Sequence, residues 1–375
     1  SVQSTKNATE RAYRIQKLLN DSLNAYGATL ALQSTNPQTL SNIRRENISS
    51  DTYVELQRRF SRDGVYTYTD IILGLPGESY GDFADSLGKA ISDGQHNHVQ
   101  FHNCSLLVNA EMAQPDYVAR FGIRTVPQLI RNPHQSIDDV NEVEEHLPTV
   151  IATDAMPERD WVRSKMYWWL ADLFYFDRML QLPLALLEAE HDIPIRTSIE
   201  AIVAAESPTI AGLVDRLRRH AEAIQHGGPE YVSEPAYGDL ILPADQHGLV
   251  TLVLTRQLDA FYEEVAGVLG GLCDDDVAVS DALELNAALL RVPFRPPTST
   301  LVVSHPVLEY HQALLRGERI ELEERLVPYV IDRTAKPFPT VEAWFEHLVW
   351  CHGKDKRGYL NEARPTGART SVLTA

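Results

Sequence analysis

The first 110 residues alternate between two spacings of hydrophobic positions. Apolar residues three to four positions apart predict helices near residues 12–23, 53–60 and 83–91. Continuous apolar runs between these helices predict strands at Ala28–Leu32, Val65–Leu73 and Val99–Val108. This alternation predicts an α/β fold with a parallel sheet and right-handed crossovers. Three strands cannot close a barrel, so the sequence predicts one part of a larger α/β domain.

The same pattern divides the chain into three parts. Residues 1–125 form the α/β part, and residues 158–375 are predicted to be mainly helical. Between them, residues 126–157 are rich in Pro, Asp and Glu and predict an acidic connection. Strand candidates near residues 301–303 and 326–331 interrupt the helical part, and a last amphipathic helix is predicted at 341–352.

The most apolar window of the chain is Met166–Leu187. Asp172 and Asp177 interrupt it, so it is predicted to be a buried helix rather than a membrane span. Aromatic residues between Trp161 and Phe176 have helical spacing, which predicts a core seam between helices. A stacking site for a large planar substrate is the alternative interpretation.

The charge and the cysteines limit the possible partners and the compartment. The chain has 34 Lys and Arg against 52 Asp and Glu, a net charge of -18, which argues against a nucleic-acid partner. The arginines are spread along the sequence, and no run of basic residues resembles a lipid-binding patch. The three cysteines lie far apart and form no disulfide framework or C-x-x-C site, which favours a reducing, cytoplasmic setting. We therefore expect a protein that contacts neither nucleic acid nor membrane.

Three polar side chains lie in or after the first two predicted strands, with Arg45 in the helix that follows the first strand and Asp70 within the second. Gln33 ends the first strand, Arg45 follows 12 positions later, and Asp70 follows Gln33 by 37 positions, shortly before the turn Gly74–Glu78. Because parallel strands bring their carboxyl ends to one edge, Gln33 and the Gly74–Glu78 turn are expected to lie at the same edge of the sheet. A guanidinium pairs a carboxylate in bidentate fashion, and a carboxylate accepts hydrogen bonds from hydroxyls. The set could hold an amino acid and a ribose.

These residues resemble those of a known enzyme family. Residues 31–47 and 70–79 are similar to the second half of the (β/α)6 partial TIM-type barrel of radical S-adenosylmethionine (SAM) enzymes, particularly members with a cobalamin-binding domain ahead of the barrel. The spacing of Gln33, Arg45 and Asp70 also matches the oxygen-independent coproporphyrinogen oxidase branch, where the matching residues contact SAM. The resemblance covers about residues 8–125.

The resemblance implies specific roles. Gln33, Arg45 and Asp70 would be SAM contacts, with Ile72 and Gly74 along the adenine and Ser34 as a further candidate. Residues 101–122 resemble the last barrel strand and the segment after it, so His102 and Cys104 would face the substrate, a small molecule or a peptide. The parent enzyme would cleave SAM at a 4Fe-4S cluster that receives its electron from a reductant, and this cleavage would start radical chemistry. A bound cobalamin would make methyl transfer possible.

The chain departs from this family in two ways. It has no C-x-x-x-C-x-x-C run, whose thiolates hold the 4Fe-4S cluster, and no D-x-H-x-x-G cobalamin signature; Asp245-Gln-His247 lacks the final Gly. Three strands where six are expected, and a first residue other than Met, favour a C-terminal part of a longer enzyme. The alternative is a cluster-free protein that binds SAM or acts as a scaffold without catalysis.

The same residues also have interpretations that involve no SAM binding. The Gly74–Glu78 turn is also typical of an ordinary strand-to-helix connection, and Glu78 is equally suited to cap the following helix. Arg44 is an alternative to Arg45. A metal-dependent hydrolase would use His98, His102 and Cys104, but such residues more often form hydrogen bonds within a polar interior.

Overall fold

The computed structural model describes residues 9–23, 27–138, 143–334, 337–352 and 356–365. Its first part contains helices α1 (Thr9–Leu23), α2 (Pro37–Asn42), α3 (Ser50–Arg62) and α4 (Tyr80–Ser92) and strands β1 (Ala28–Thr29), β2 (Thr67–Leu73) and β3 (Val99–Asn103). The strands form a sheet in the order β1-β2-β3, and both pairings are parallel. The predicted parallel sheet is therefore confirmed. The described residues form a mixed α/β fold without a closed barrel.

The sheet has one buried and one open face. Alternate residues of β2 from Thr67 to Leu73 are buried, whereas the residues between them, Tyr68, Asp70 and Ile72, are only half-buried. The buried face packs on helices, and Phe101 contacts Phe83 with ring centroids 6.1 Å apart. On the open face, β3 presents Gln100 and His102 to solvent. This division follows from the two-residue period of a strand.

The acidic connection contains more structure than its composition predicts. After α5 (Pro115–Arg120), strands β4 (Arg124–Leu129) and β5 (His146–Ala152) pair antiparallel on either side of residues 139–142, which lie outside the described part. The backbone of β5 continues alongside the chain beyond β3, with the Val150 amide donating to the Cys104 carbonyl at 2.8 Å. The hairpin thus extends the sheet at its carboxyl edge.

The third part is mainly helical, as the sequence predicts. Its helices are α6 (Glu158–Ala171), α7 (Gln181–His191), α8 (Ile195–Val203), α9 (Pro208–Gln225), α10 (Ala244–Leu254), α11 (Leu258–Gly270), α12 (Val277–Leu289), α13 (Val307–Leu315) and α14 (Val341–Cys351). The predicted strands are confirmed as β6 (Thr298–Val303) and β7 (Val327–Asp332), which form an antiparallel sheet with β8 (Ala363–Pro365).

The apolar window is two helices instead of one. A π-helical turn, Asp172–Phe176, follows α6, and α7 begins at Gln181. The prediction of one continuous helix is wrong because buried Asp172 and Asp177 interrupt it to meet a cation from elsewhere in the chain. The prediction of a core seam is confirmed, since Trp161, Trp169 and most of the aromatic residues between them and Phe176 are buried.

Within the described ranges, none of the helices combines the length and the apolar character that a membrane crossing requires.

Candidate functional site

The turn after β2 is built around two glycines with left-handed backbone angles. Gly74 has φ 89° and Gly77 has φ 83°, a region that glycine occupies without steric cost. The Asn42 side chain donates to the Pro76 carbonyl at 2.9 Å, and a Cβ on Gly77 would lie 2.4 Å from the Asn42 nitrogen. Close packing by α2 therefore fixes the shape of this turn.

Helix α4 is capped by Ser79 and not by Glu78. The Ser79 hydroxyl accepts from the Asp82 amide, and the Asp82 carboxylate accepts from the Ser79 amide at 3.0 Å, which completes a capping box. Glu78 points instead into the interior, where it is 0% exposed. The capping interpretation of Glu78 is therefore wrong.

The loop after β1 joins the edge of the sheet through Gln33. The backbone N–H of Gln33 donates to the backbone carbonyl of Asp70 at 2.7 Å, and the backbone carbonyl of Gln33 accepts from the Ile72 N–H at 3.0 Å. Gln33 has φ 64°, a left-handed angle that is uncommon for a residue with a Cβ. Such backbone strain persists only where the surroundings over-determine it, and it clusters at functional sites.

Arg45 and Asn47 hold this loop from the other side. The Arg45 guanidinium donates to the Ala31 carbonyl at 2.7 Å and to the Asn47 side chain at 3.0 Å. Asn47 in turn donates to the Leu32 carbonyl at 3.0 Å and to the Ser34 carbonyl at 2.8 Å. A guanidinium has five N–H donors, so these two bonds leave Arg45 with the capacity to bind an anion.

Arg45 lies near Asp70, whereas Arg44 faces away. Burial lowers the pKa of the Arg45 guanidinium, and the negative charge of Asp70 opposes that effect. Arg44 forms an exposed ion pair with Glu111, at 2.6 Å. Of the two arginines that the sequence offers, Arg45 is thus the one at the candidate site.

Asp70 also contacts His102 on the neighbouring strand. The Asp70 Oδ1 and His102 Nε2 atoms are 3.5 Å apart, and the two side chains are 23% and 45% exposed. Ile72 is half-buried and packs against the apolar cluster of Leu75 and Val150. The structure therefore brings Gln33, Arg45, Asp70, Ile72 and His102 to one region at the open face, with Gly74 at its edge.

Two predicted contacts lie elsewhere. Ser34 is 0% exposed and its hydroxyl donates to Glu78 Oε1 at 2.6 Å. Cys104 is buried, with its Sγ atom 3.6 Å from Met112 Sδ, and burial raises the pKa of its thiol to about 12. Such a thiol does not form a thiolate at neutral pH. Direct contact of Ser34 or Cys104 with a ligand is thus a prediction that the geometry does not support.

A second group of charges was not predicted from the sequence. Lys356 donates to Asp177 at 2.7 Å and to Asp172 at 3.2 Å, and all three side chains are at most 10% exposed. Burial raises the pKa of Asp172 to about 6, an effect that Lys356 opposes. Burial and the charges of Asp177 and Asp172 raise the pKa of Asp245. The only signal in the sequence is the pair of aspartates within the apolar window.

A further buried lysine lies at the carboxyl end of β3. Lys165 donates to Asn103 at 2.8 Å and to Glu230 at 2.6 Å, and its Nζ atom is 3.6 Å from the Trp168 ring centroid. Burial lowers the pKa of Lys165, and Glu230 opposes this. The lysine therefore fastens α6 to the sheet edge beside His102.

His98, His102 and Cys104, which lie on and beside β3, are not arranged as a metal centre. Over the described ranges, no group of three or more His, Cys, Asp or Glu side chains is arranged to hold a metal ion. His98 is buried near Lys356. Its burial and, to a smaller extent, the positive charge of Lys356 lower the pKa of its imidazole. His102, in contrast, faces solvent.

Comparison with known proteins places this site in context. No family model matches the chain. The chain is 34% identical over 165 residues, 44% of its length, to the cobalamin-dependent radical SAM methyltransferase TokK of Streptomyces tokunonensis. It is also 34% identical over 163 residues, 43% of its length, to the 2-(S-pantetheinyl)-carbapenam-3-carboxylate methyltransferase of Streptantibioticus cattleyicolor. The matches span 24% and 23% of these relatives. They support the relationship to radical SAM enzymes that the sequence motifs indicate.

Proposed function

We propose that this chain carries the SAM-binding side of a radical SAM methyltransferase. The observation that carries the proposal is the meeting of Gln33, Arg45 and Asp70 at one region of the open sheet face, although they are 12 and 37 positions apart along the chain. The similarity to a cobalamin-dependent radical SAM methyltransferase supports the same function.

Each side chain at the open face suits a part of SAM. Arg45 would pair the carboxylate of the methionine moiety, because its half-buried guanidinium keeps unused donors. Asp70 would accept from ribose hydroxyls, and Gln33 would hold a polar group through its amide. Ile72 and the backbone at Gly74 would lie against the adenine. His102, beside Asp70, would face a small-molecule or peptide substrate.

The residues of this chain do not fit the iron–sulfur cluster of the parent enzyme. Cys104, Cys273 and Cys351 are all buried and lie on separate elements. They also do not fit cobalamin through the Asp245-Gln-His247 stretch, because Asp245 belongs to the buried charges around Lys356 and His247 is 4% exposed. We therefore assign to this chain the binding and orientation of SAM, and we derive no redox step from it. In the parent, a cluster, a reductant and cobalamin would supply the radical and methyl-transfer chemistry.

Calorimetric titration of the full chain with SAM tests this function. We expect Arg45→Gln to weaken SAM binding by about 10- to 100-fold, because a hydrogen bond to a charged group contributes about 1.5–3 kcal/mol. Arg44→Gln is the matched control and should change the affinity by less than about twofold, since Arg44 is paired on the surface. Absence of SAM binding at millimolar concentration, or equal effects of the two substitutions, would overturn the proposal.

A second candidate is a SAM-binding module without catalysis, which the poor fit of the three cysteines favours. The two functions differ in whether the remaining parts of a radical SAM enzyme restore SAM cleavage. Incubation of the purified chain with SAM and dithionite should release no 5′-deoxyadenosine in either case. Mixing with the remaining parts of a radical SAM enzyme should restore cleavage only if the chain is the SAM-binding part of a catalyst.

A further inference from the structure

Glu78 is a buried carboxyl group, and no cation among the described residues pairs with it. It is 0% exposed, its Oε1 atom accepts from the Ser34 hydroxyl at 2.6 Å, and its Oε2 atom has no hydrogen-bond partner among the described residues. No described basic side chain forms an ion pair with it. A buried carboxylate without a cation is strongly disfavoured in a protein interior. The burial of Glu78 therefore disfavours its ionised form.

The groups around Glu78 favour its neutral form. Ser34 faces it from the loop after β1, Asp82 from the first turn of α4, and Cys104 from the end of β3. None of these groups carries a positive charge. Burial raises the pKa of Glu78 to about 8; the Ser34 hydrogen bond lowers it, and the charge of Asp82 raises it. Burial and the lack of a cation among the described residues therefore favour the protonated form of Glu78.

Glu78 joins two loops that carry the predicted SAM contacts. It follows Gly77 in the turn that begins at Gly74, and its partner Ser34 follows Gln33 directly. The backbone at Ser34 is held on its other side by Asn47, which donates to the Ser34 carbonyl at 2.8 Å. The Glu78–Ser34 bond thus fixes the loop in which Gln33 adopts its left-handed angle.

We propose that Glu78 is a positioning residue: its buried carboxyl group, bonded to the Ser34 hydroxyl, holds the loop after β1 against the turn after β2 and so sets the place of Gln33 for SAM. This inference rests on the proposed function. It assigns Glu78 no contact with the ligand. When the acid loses its proton, an uncompensated charge is left in the interior, the loop moves, and SAM affinity falls.

The experiment is a SAM titration of the full chain between pH 6.5 and 9.5. We expect Glu78→Gln, a neutral side chain of the same shape, to bind SAM within about threefold of the native chain at pH 7. Its affinity should then stay level with pH apart from the titration of SAM itself. The native chain should lose up to about tenfold more affinity per pH unit above pH 8. Dividing the two curves removes the titration of the ligand.

Two further variants separate positioning from folding. Glu78→Ala should weaken SAM binding by more than about tenfold at pH 7. Asp85→Asn removes an acid that is 70% exposed on the same helix, and it should leave the pH profile of the native chain unchanged. Identical pH profiles for the native chain and Glu78→Gln, or native affinity in Glu78→Ala, would refute the inference. Failure of every form to bind SAM at any pH would instead refute the proposed function.

Discussion

Substitution of Lys356 by Met tests the buried charges that join the end of the described chain to its centre. The change removes the cation and keeps an apolar side chain of similar length. It deletes the bonds to Asp177 at 2.7 Å and to Asp172 at 3.2 Å and leaves buried carboxylates without a counter-charge. Removing one partner of a buried ion pair costs about 3–5 kcal/mol. That is a large fraction of the roughly 5–15 kcal/mol that stabilises a domain.

The loss should depend on pH in a defined direction. The pKa values of Asp172 and Asp245 are raised above the ordinary value of a carboxyl group. Such a group lowers the free energy of unfolding as the pH rises from its ordinary pKa to its pKa in the folded protein. Without Lys356 these pKa values rise further. We therefore expect a loss of about 3–5 kcal/mol at pH 8 that shrinks by at least about 1.4 kcal/mol at pH 5, where one carboxyl is protonated.

Urea unfolding followed by tryptophan fluorescence measures this loss, since the Trp168 indole donates to Asp172 at 3.1 Å. Arg364→Met is the matched control: it removes a cation that is 71% exposed in the same segment of the chain and should change the free energy of unfolding by less than about 0.5 kcal/mol. A loss below about 1 kcal/mol at pH 8, or a loss that is the same at pH 5, would show that the charges around Lys356 are not buried as described.

Three further changes test other parts of the structure. Gly77→Ala should lower the free energy of unfolding by about 1–3 kcal/mol, measured with urea, because φ 83° disfavours a Cβ and Asn42 loses its bond; an unchanged midpoint would contradict the turn geometry. Glu78→Gln should gain stability over the native chain by about 1.4 kcal/mol per pH unit between the ordinary pKa of 4.5 and about 8, so parallel pH–stability curves would argue against a buried acid. Lys165→Met should cost about 1–3 kcal/mol in the same assay, less than Lys356→Met, because Glu230 is 16% exposed; the reverse order would be inconsistent with these burials.

The meeting of Gln33 and Asp70 could be predicted from sequence because topology alone requires it. Parallel strands joined by helices bring their carboxyl ends to one edge, whatever the intervening residues are. The resemblance then selected Arg45, and the structure distinguishes it from Arg44 through the carbonyl of Ala31. These predictions depend on local patterns and on general rules of chain connection, which the sequence records directly.

The burial of Cys104 could not be predicted in this way. A two-residue period places Cys104 on the same face as His102, but β3 ends at Asn103 and the next residues pair with β5. The strand β5 was itself hidden, because Pro148 and the preceding acidic residues are typical of a connection. Likewise, the bond from Lys356 to Asp172 joins residues 184 positions apart, and no local pattern indicates such a partner.

The distance along the chain between Lys356 and its carboxylates also has a consequence for biosynthesis. Asp172, Asp177 and Asp245 leave the ribosome before the lysine, which follows Asp245 by more than one hundred residues. At about 5–20 residues per second, Lys356 is added roughly 5–20 s after Asp245 and roughly 10–40 s after Asp172. During that time the nascent chain must keep these carboxylates hydrated or protonated. Released chains that stop before residue 356 should therefore be more sensitive to protease than released chains that include it.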